Sequence, residues 1–264
     1  MPRTALITGA SSGIGAAFAE ELARHGCDVV LTARRADRLE AMAARLAERH
    51  AIRATPIAAD LSEPDACGRL CDEIARQGLV VDILINNAGY GLPGAYASHP
   101  WATHDAFLRV MVGAMAELAH RVLPGMLERG YGRIVNVASL AGLLPAPAGH
   151  TLYAASKAFL VRFSESLGHE VRDRGVHVTA LCPGFTLSEF HDVTGTRVQV
   201  SRLPGFMWLT SAEVARQGWA GVEAGVPVLV TGRVNRVLAT LGRVLPLRWI
   251  RAFMRATSKS YRST

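Results

Sequence analysis

Tyr153 and Lys157 stand four residues apart, a spacing that on a helix puts a phenol and an ammonium on one face. A tyrosine ordinarily titrates near about 10, and a cation beside it favours the phenolate, so the pair suits proton transfer nearer neutrality. The choice of lysine is telling. Only Lys157 and Lys259 among the 29 basic residues are not arginine, and a slim ammonium can serve two ribose hydroxyls and a phenol where a planar guanidinium cannot. Ser139 follows an apolar run, and its hydroxyl can hold a carbonyl oxygen. Ser139, Tyr153 and Lys157 are the candidate catalytic set.

A second group of residues suits a dinucleotide. Thr8-Gly9-Ala10-Ser11-Ser12-Gly13-Ile14-Gly15 follows the first apolar run and opens a helical pattern, where free N–H groups and the helix dipole can meet a pyrophosphate. Gly9, Ser11, Ser12, Gly13, Ile14 and Gly15 are therefore expected to bind cofactor. The place of the acid that would grip the adenine ribose of NAD holds Ala33-Arg34-Arg35. Two cations before a helix starting near Asp37 oppose its dipole, and a ribose 2′-phosphate would compensate them. The expectation is NADP(H) in preference to NAD(H), held by Arg34 and Arg35, against the alternative of two solvated surface arginines.

These residues need a scaffold. Short apolar runs at 5–8, 29–32, 53–58, 81–85, 133–137, 176–181 and 228–230 read as buried parallel strands, separated by helix-length stretches such as 16–25, 37–50 and 154–174. The alternation predicts a single-domain, doubly wound α/β fold of the Rossmann type, about seven parallel strands with helices on both faces. The rhythm breaks at 185–209, read as a mobile segment covering the substrate, and a basic C-terminal extension occupies 233–264.

The ordered series Thr8 to Gly15, Asp60-Leu61, Asn86-Asn87-Ala88-Gly89, Ser139, Tyr153-x3-Lys157 and Pro183-Gly184 resembles the short-chain dehydrogenase/reductase family, in particular its NADP-preferring carbonyl reductases. The resemblance implies that Asp60 and Leu61 border the adenine and that Asn86, Asn87, Ala88 and Gly89 line the cofactor. It further implies that Pro183 and Gly184 turn towards the nicotinamide, that Ser188 meets its amide, and that Tyr153 and Lys157 also touch the cofactor. Two features depart from the family. Its helical Asn falls on Met111, which lacks an amide to place a proton-relaying water, and the interval from Ser139 to Tyr153 is one residue longer than usual.

The implied activity is reversible hydride transfer between NADP(H) and a ketone, aldehyde or secondary alcohol. Phe185, Phe190, Phe206, Trp208 and the loop Leu143-Leu144-Pro145-Ala146-Pro147 favour an apolar substrate. The alternative is a non-catalytic dinucleotide sensor or scaffold that lost turnover with its Asn, against which the retained Ser, Tyr and Lys argue.

The net charge of +7 is not spread evenly. Residues 226–264 carry eight Arg or Lys and no acid, so the remainder sums to −1. No groove of interleaved basic and aromatic residues accompanies this charge, which argues against nucleic acid. Beyond Pro246, Leu247, Ile250 and Met254 lie beside a stripe of Arg248, Arg251 and Arg255. Such a helix suits either an anionic membrane surface or docking on the domain or a second subunit. Cys27, Cys67, Cys71 and Cys182 have no metal-ligand spacing and read as reduced core thiols, so no metal is expected. A cytoplasmic homodimer or homotetramer with, at most, peripheral membrane contact is the expectation.

Overall fold

A computed structural model describes residues 2–146, 148–149, 151–187, 205 and 208–244. Its main sheet has seven strands, all parallel: β1 (Thr4–Thr8), β2 (Asp28–Ala33), β3 (Ala54–Ala58), β4 (Val81–Asn86), β5 (Gly132–Val137), β6 (Val176–Cys182) and β9 (Val228–Val230). They lie in the order β3-β2-β1-β4-β5-β6-β9. The order reverses between β1 and β4, and the crevice at their carboxyl ends is where folds of this kind bind ligands. The helices are α1 (Gly13–Arg24), α2 (Ala36–His50), α3 (Ala66–Arg76), α4 (Trp101–Leu108), α5 (Ala114–Glu128), α6 (Thr151–Val171), α7 (Ser211–Glu223) and α8 (Arg233–Val244).

Strand residues face alternate sides of the sheet. Ala5, Ile7, Val29, Leu31, Ile83, Ile85, Val135 and Val137 join one core with Phe18, Leu22, Leu39 and Val214. Leu6, Val30, Leu84 and Ile134 join the other, with Leu70, Leu118 and Met126. Both faces are covered, which explains why the strands read as unbroken apolar runs rather than alternating ones. All four cysteines are free thiols, three of them buried, and burial pushes Cys67 up to about 12 and Cys27 to about 11.

Two features differ from the sequence reading. The ends of the 185–209 segment are clasped by two short parallel strands, β7 (Thr186–Leu187) and β8 (Leu209–Thr210), with the Leu209 N–H donating to the Phe185 carbonyl at 3.0 Å. Mobility of the interval between them falls on residues mostly outside those described, as do Ser188, Phe190 and Phe206. The basic extension is not all appendage. Residues 233–244 form α8, which buries Asn235 and Ala239 against the domain. Leu247, Ile250, Met254 and their neighbouring arginines lie outside the described residues.

Candidate active site

The glycine turn is built by close approach. Gly9 has φ +64° and Gly13 φ +56°, left-handed values that favour glycine. A Cβ on Gly9 would lie 2.8 Å from the Asn87 side-chain nitrogen, and one on Gly15 would run into the Gly9 carbonyl. Ser12 caps α1 without a side-chain hydrogen bond, and the first-turn N–H groups of a helix have no partner within it. Open donors at a turn kept narrow by Gly9, Gly13 and Gly15 fit a pyrophosphate.

Thr8 and Asn87 weld this turn to the end of β4. The Thr8 hydroxyl donates to the Ile85 carbonyl at 3.2 Å and accepts from the N–H groups of Asn87 and Ala88, both at 2.9 Å. The Asn87 amide donates to the carbonyls of Thr8 at 2.9 Å and Gly9 at 3.2 Å. Asn87, Ala88 and Gly89 thus border the crevice, but Asn86 does not. It is fully buried, and its amide donates to the Met115 carbonyl at 2.8 Å and to Asn136 Oδ1 at 2.9 Å. Asn136 in turn donates to the Ser164 hydroxyl at 2.8 Å, so Asn86 ties β4 to α5, β5 and α6 instead of lining the cofactor.

At the adenine side both arginines are exposed. Arg35 reaches back to the glycine turn, donating from Nη2 to Ser11 Oγ at 3.1 Å. Arg34 acts electrostatically on Asp60 and Tyr90. Burial pushes the Asp60 carboxyl up, but two hydrogen bonds from Ser62 and the Arg34 charge prevail and hold it below its usual range. Leu61 is buried in the core beneath. Arg35 thus stands at the glycine turn and Arg34 beside Asp60 and Tyr90, at the end of β2 where a ribose phosphate is expected.

Ser139 lies two residues beyond β5 and caps a short 3-10 turn, Leu140–Gly142, its Oγ accepting from the Ala141 N–H at 3.1 Å. The Leu140 N–H donates to the Pro183 carbonyl at 2.8 Å, linking this turn to the Pro183–Gly184 bend after β6. Gly142 is a positioning residue that sequence reasoning missed. A Cβ there would stand 2.6 Å from the Lys157 carbonyl carbon, so only glycine lets the Ser139 turn lie directly on the backbone of α6. A lone glycine outside any motif offers no signal for that role.

Tyr153 and Lys157 occupy one face of α6, the ammonium 5.7 Å from the phenol ring centre. Lys157 is almost wholly buried and donates to the Val137 carbonyl at 2.7 Å. Burial lowers its pKa from 10.5 to about 8. Burial also pushes the Tyr153 phenol above its usual range, with a hydrogen bond to Ser139 pulling the other way. The sequence-based expectation that Lys157 lowers the Tyr153 pKa is therefore corrected: burial is the largest influence on the phenol and pushes it up. The arrangement keeps a proton on Tyr153 at neutral pH, where it can act as an acid.

Met111 is fully buried in a π-helical turn, Arg109–Gly113, between α4 and α5. Its sulfur packs under Gly89, 2.9 Å from where a Cβ would be. Met111→Asn is expected to leave turnover equal or faster, because an amide returns to the relay position. Burying that amide costs roughly 1–3 kcal/mol unless it finds partners, so the melting temperature should fall by a few degrees. Steady-state kinetics and thermal unfolding check both; a large loss of kcat in a folded variant contradicts this reading.

A separate concavity of about 480 Å³, bordered by Arg3, His25, Cys27 and Trp219, lies at the amino edge of the sheet and holds none of these residues.

Comparison with known proteins agrees with this geometry. Residues 3–198 match the family described as short chain dehydrogenase. A very-long-chain 3-oxoacyl-CoA reductase from Homo sapiens is 34% identical over 189 residues, 70% of this chain and 60% of that relative, so the chain spans less than two thirds of its length. A short-chain dehydrogenase from Sphingobium yanoikuyae, solved in complex with NADPH, superposes with a TM-score of 0.80 at 33% identity, covering 92% of this chain and 93% of the other. A bulky-bulky ketone specific alcohol dehydrogenase from Comamonas testosteroni gives a TM-score of 0.75 at 29% identity, over 93% and 95% of the two chains. The chain belongs to the short-chain dehydrogenase/reductase family.

Proposed function

We propose that this enzyme transfers a hydride between NADP(H) and an apolar ketone, aldehyde or secondary alcohol. The observation that carries the reading is the meeting of Ser139, Tyr153 and Lys157 between the carboxyl end of β5 and the first turns of α6, on the same edge of the sheet as the glycine turn. The bound dinucleotide supplies the hydride. In reduction, the Tyr153 hydroxyl gives its proton to the substrate oxygen, Ser139 orients that oxygen, and the Lys157 ammonium holds the nicotinamide ribose. Oxidation runs the same proton back to Tyr153. Gly9, Gly13 and Gly15 with their N–H groups would hold the pyrophosphate, and Pro183, Gly184 and Ser188 the nicotinamide end.

An apolar substrate is supported by Leu143 and Leu144 beside the Ser139 turn and by the Phe185–Trp208 ring pair, 5.7 Å apart, at the base of the covering segment. The ketone-specific relative acts on bulky ketones by its own description, which is consistent with such a pocket. The sensor alternative is weaker because all three catalytic groups are retained and in register. We further read the protein as a cytoplasmic homodimer or homotetramer, for which the exposed Phe159 on α6, stacked on Phe163 at 5.7 Å, offers an apolar face. Among the described residues, no helix is long and apolar enough to cross a membrane.

Cofactor preference gives the test. A charge-assisted contact to the 2′-phosphate contributes roughly 1.5–3 kcal/mol, so Arg34→Asp should lower the ratio of kcat/KM for NADPH over NADH by about 10- to 100-fold. An unchanged ratio in both Arg34→Asp and Arg35→Asp would remove the NADP assignment while leaving the hydride chemistry intact.

A further inference from the structure

Apolar side chains exposed on this protein are not scattered. Among the described residues, the large exposed hydrophobics are Val80, Tyr96, Trp101, Phe159, Leu187, Val237 and Leu241. Five of these seven sit on segments that border the catalytic mouth. Tyr96 and Trp101 flank His104, whose small cavity is shared with Thr151 and Leu152 just before Tyr153. This segment is tied to the loop before α6 by the Gly94 N–H donating to the Gly149 carbonyl at 3.1 Å. Leu187 follows the Pro183–Gly184 bend in β7. Val237 and Leu241 share one face of α8, which seats Asn235 against Gly184 and abuts Leu144 through Gly242.

The same rim is basic. Arg233 and Arg236 are exposed on α8, and the chain from 226 onward holds eight basic residues and no acid. A second copy of this chain is a poor occupant for such a surface, since a two-fold interface would bring two such segments together. An anionic bilayer is a good one: aromatic and aliphatic side chains enter the headgroup boundary, while each nearby cation is attracted to the lipid charge.

We propose that the rim formed by Tyr96, Trp101, Leu187, Val237 and Leu241, with Arg233 and Arg236, docks on an anionic lipid surface and turns the catalytic mouth towards the bilayer. An apolar substrate would then enter from the lipid phase without crossing water. The binding itself does not depend on which carbonyl compound is reduced.

The test is sedimentation of the full chain with phosphatidylcholine vesicles, with and without about a third phosphatidylserine, at low and high salt. Pelleting is expected only with phosphatidylserine and should weaken with salt. Val237→Glu combined with Leu241→Glu removes the apolar anchor and adds two negative charges, so binding should fall at least about tenfold. Arg236→Ser should cost about fivefold. Trp101→Ser, on a different element, is an independent variant expected to lose about fivefold or more, and it decides the matter if the α8 variant fails to fold. Wild-type protein that stays in the supernatant, or folded α8 and Trp101 variants that pellet like wild type, would overturn the proposal. Loss of self-association in the α8 variant without any vesicle binding would assign the face to a second copy instead.

Discussion

Tyr153→Phe is expected to lower kcat for ketone reduction by roughly 100- to 10,000-fold, the range contributed by a positioned general acid, with NADPH affinity unchanged. The substitution deletes one hydroxyl from α6. It leaves Lys157 on the Val137 carbonyl and leaves the glycine turn untouched, because that turn is held by Thr8 and Asn87 on the far side of β4. Loss of the hydrogen bond with Ser139 costs about 1 kcal/mol, too little to unfold a domain of this size. Transient kinetics together with fluorescence titration of NADPH separate the two effects. Retained turnover would remove Tyr153 as the acid, and joint loss of turnover and binding would indicate a damaged fold.

Lys157→Met is expected to lower kcat by roughly 100-fold or more and to abolish a particular pH dependence of stability. In the dinucleotide-free protein the folded-state pKa of Lys157 is about 8, below its ordinary 10.5. Between these values the unfolded chain binds more protons than the folded one, so stability rises with pH across that window. Below about pH 8 both states carry the proton, and the buried charge costs on the order of 3 kcal/mol. The methionine variant removes that cost but orphans the Val137 carbonyl, a loss of roughly 1–3 kcal/mol. Those terms nearly cancel, so the absolute melting temperature says little and the slope is the readout. Wild-type protein should gain stability from pH 8 to 10 relative to the variant. Parallel profiles would show that Lys157 is not desolvated.

The sheet was legible because both of its faces are buried, so each strand shows up as an apolar run bounded by polar turns. The seven runs agree with the seven strands to within a residue or two at their ends. The glycine turn was legible because its left-handed and crowded positions leave few alternatives to glycine. Asn86 was misread, since position in a motif does not say which way a strand residue points; period-2 geometry turns it into the core and Asn87 out of it. The effect of Lys157 on Tyr153 was misjudged because spacing reports proximity and not desolvation. Gly142 carried no sequence signal, as its role depends on a turn and a helix far apart in the chain. The α8 helix was hidden by reading the basic extension through its charge, although its buried Asn235 and Ala239 fall at a helical interval.

The most direct measurement is isotope transfer from NADPH deuterated at C4 to a bulky apolar ketone, followed by mass spectrometry of the alcohol. If the site works as described, wild-type enzyme yields an alcohol carrying one deuterium on the carbinol carbon, when the label is on the face of the nicotinamide that is used, and Tyr153→Phe yields almost none. NADPH labelled on the other face gives unlabelled alcohol. An enzyme that binds NADPH but delivers deuterium from neither face to any of a panel of ketones and aldehydes would contradict the assignment and leave a dinucleotide sensor.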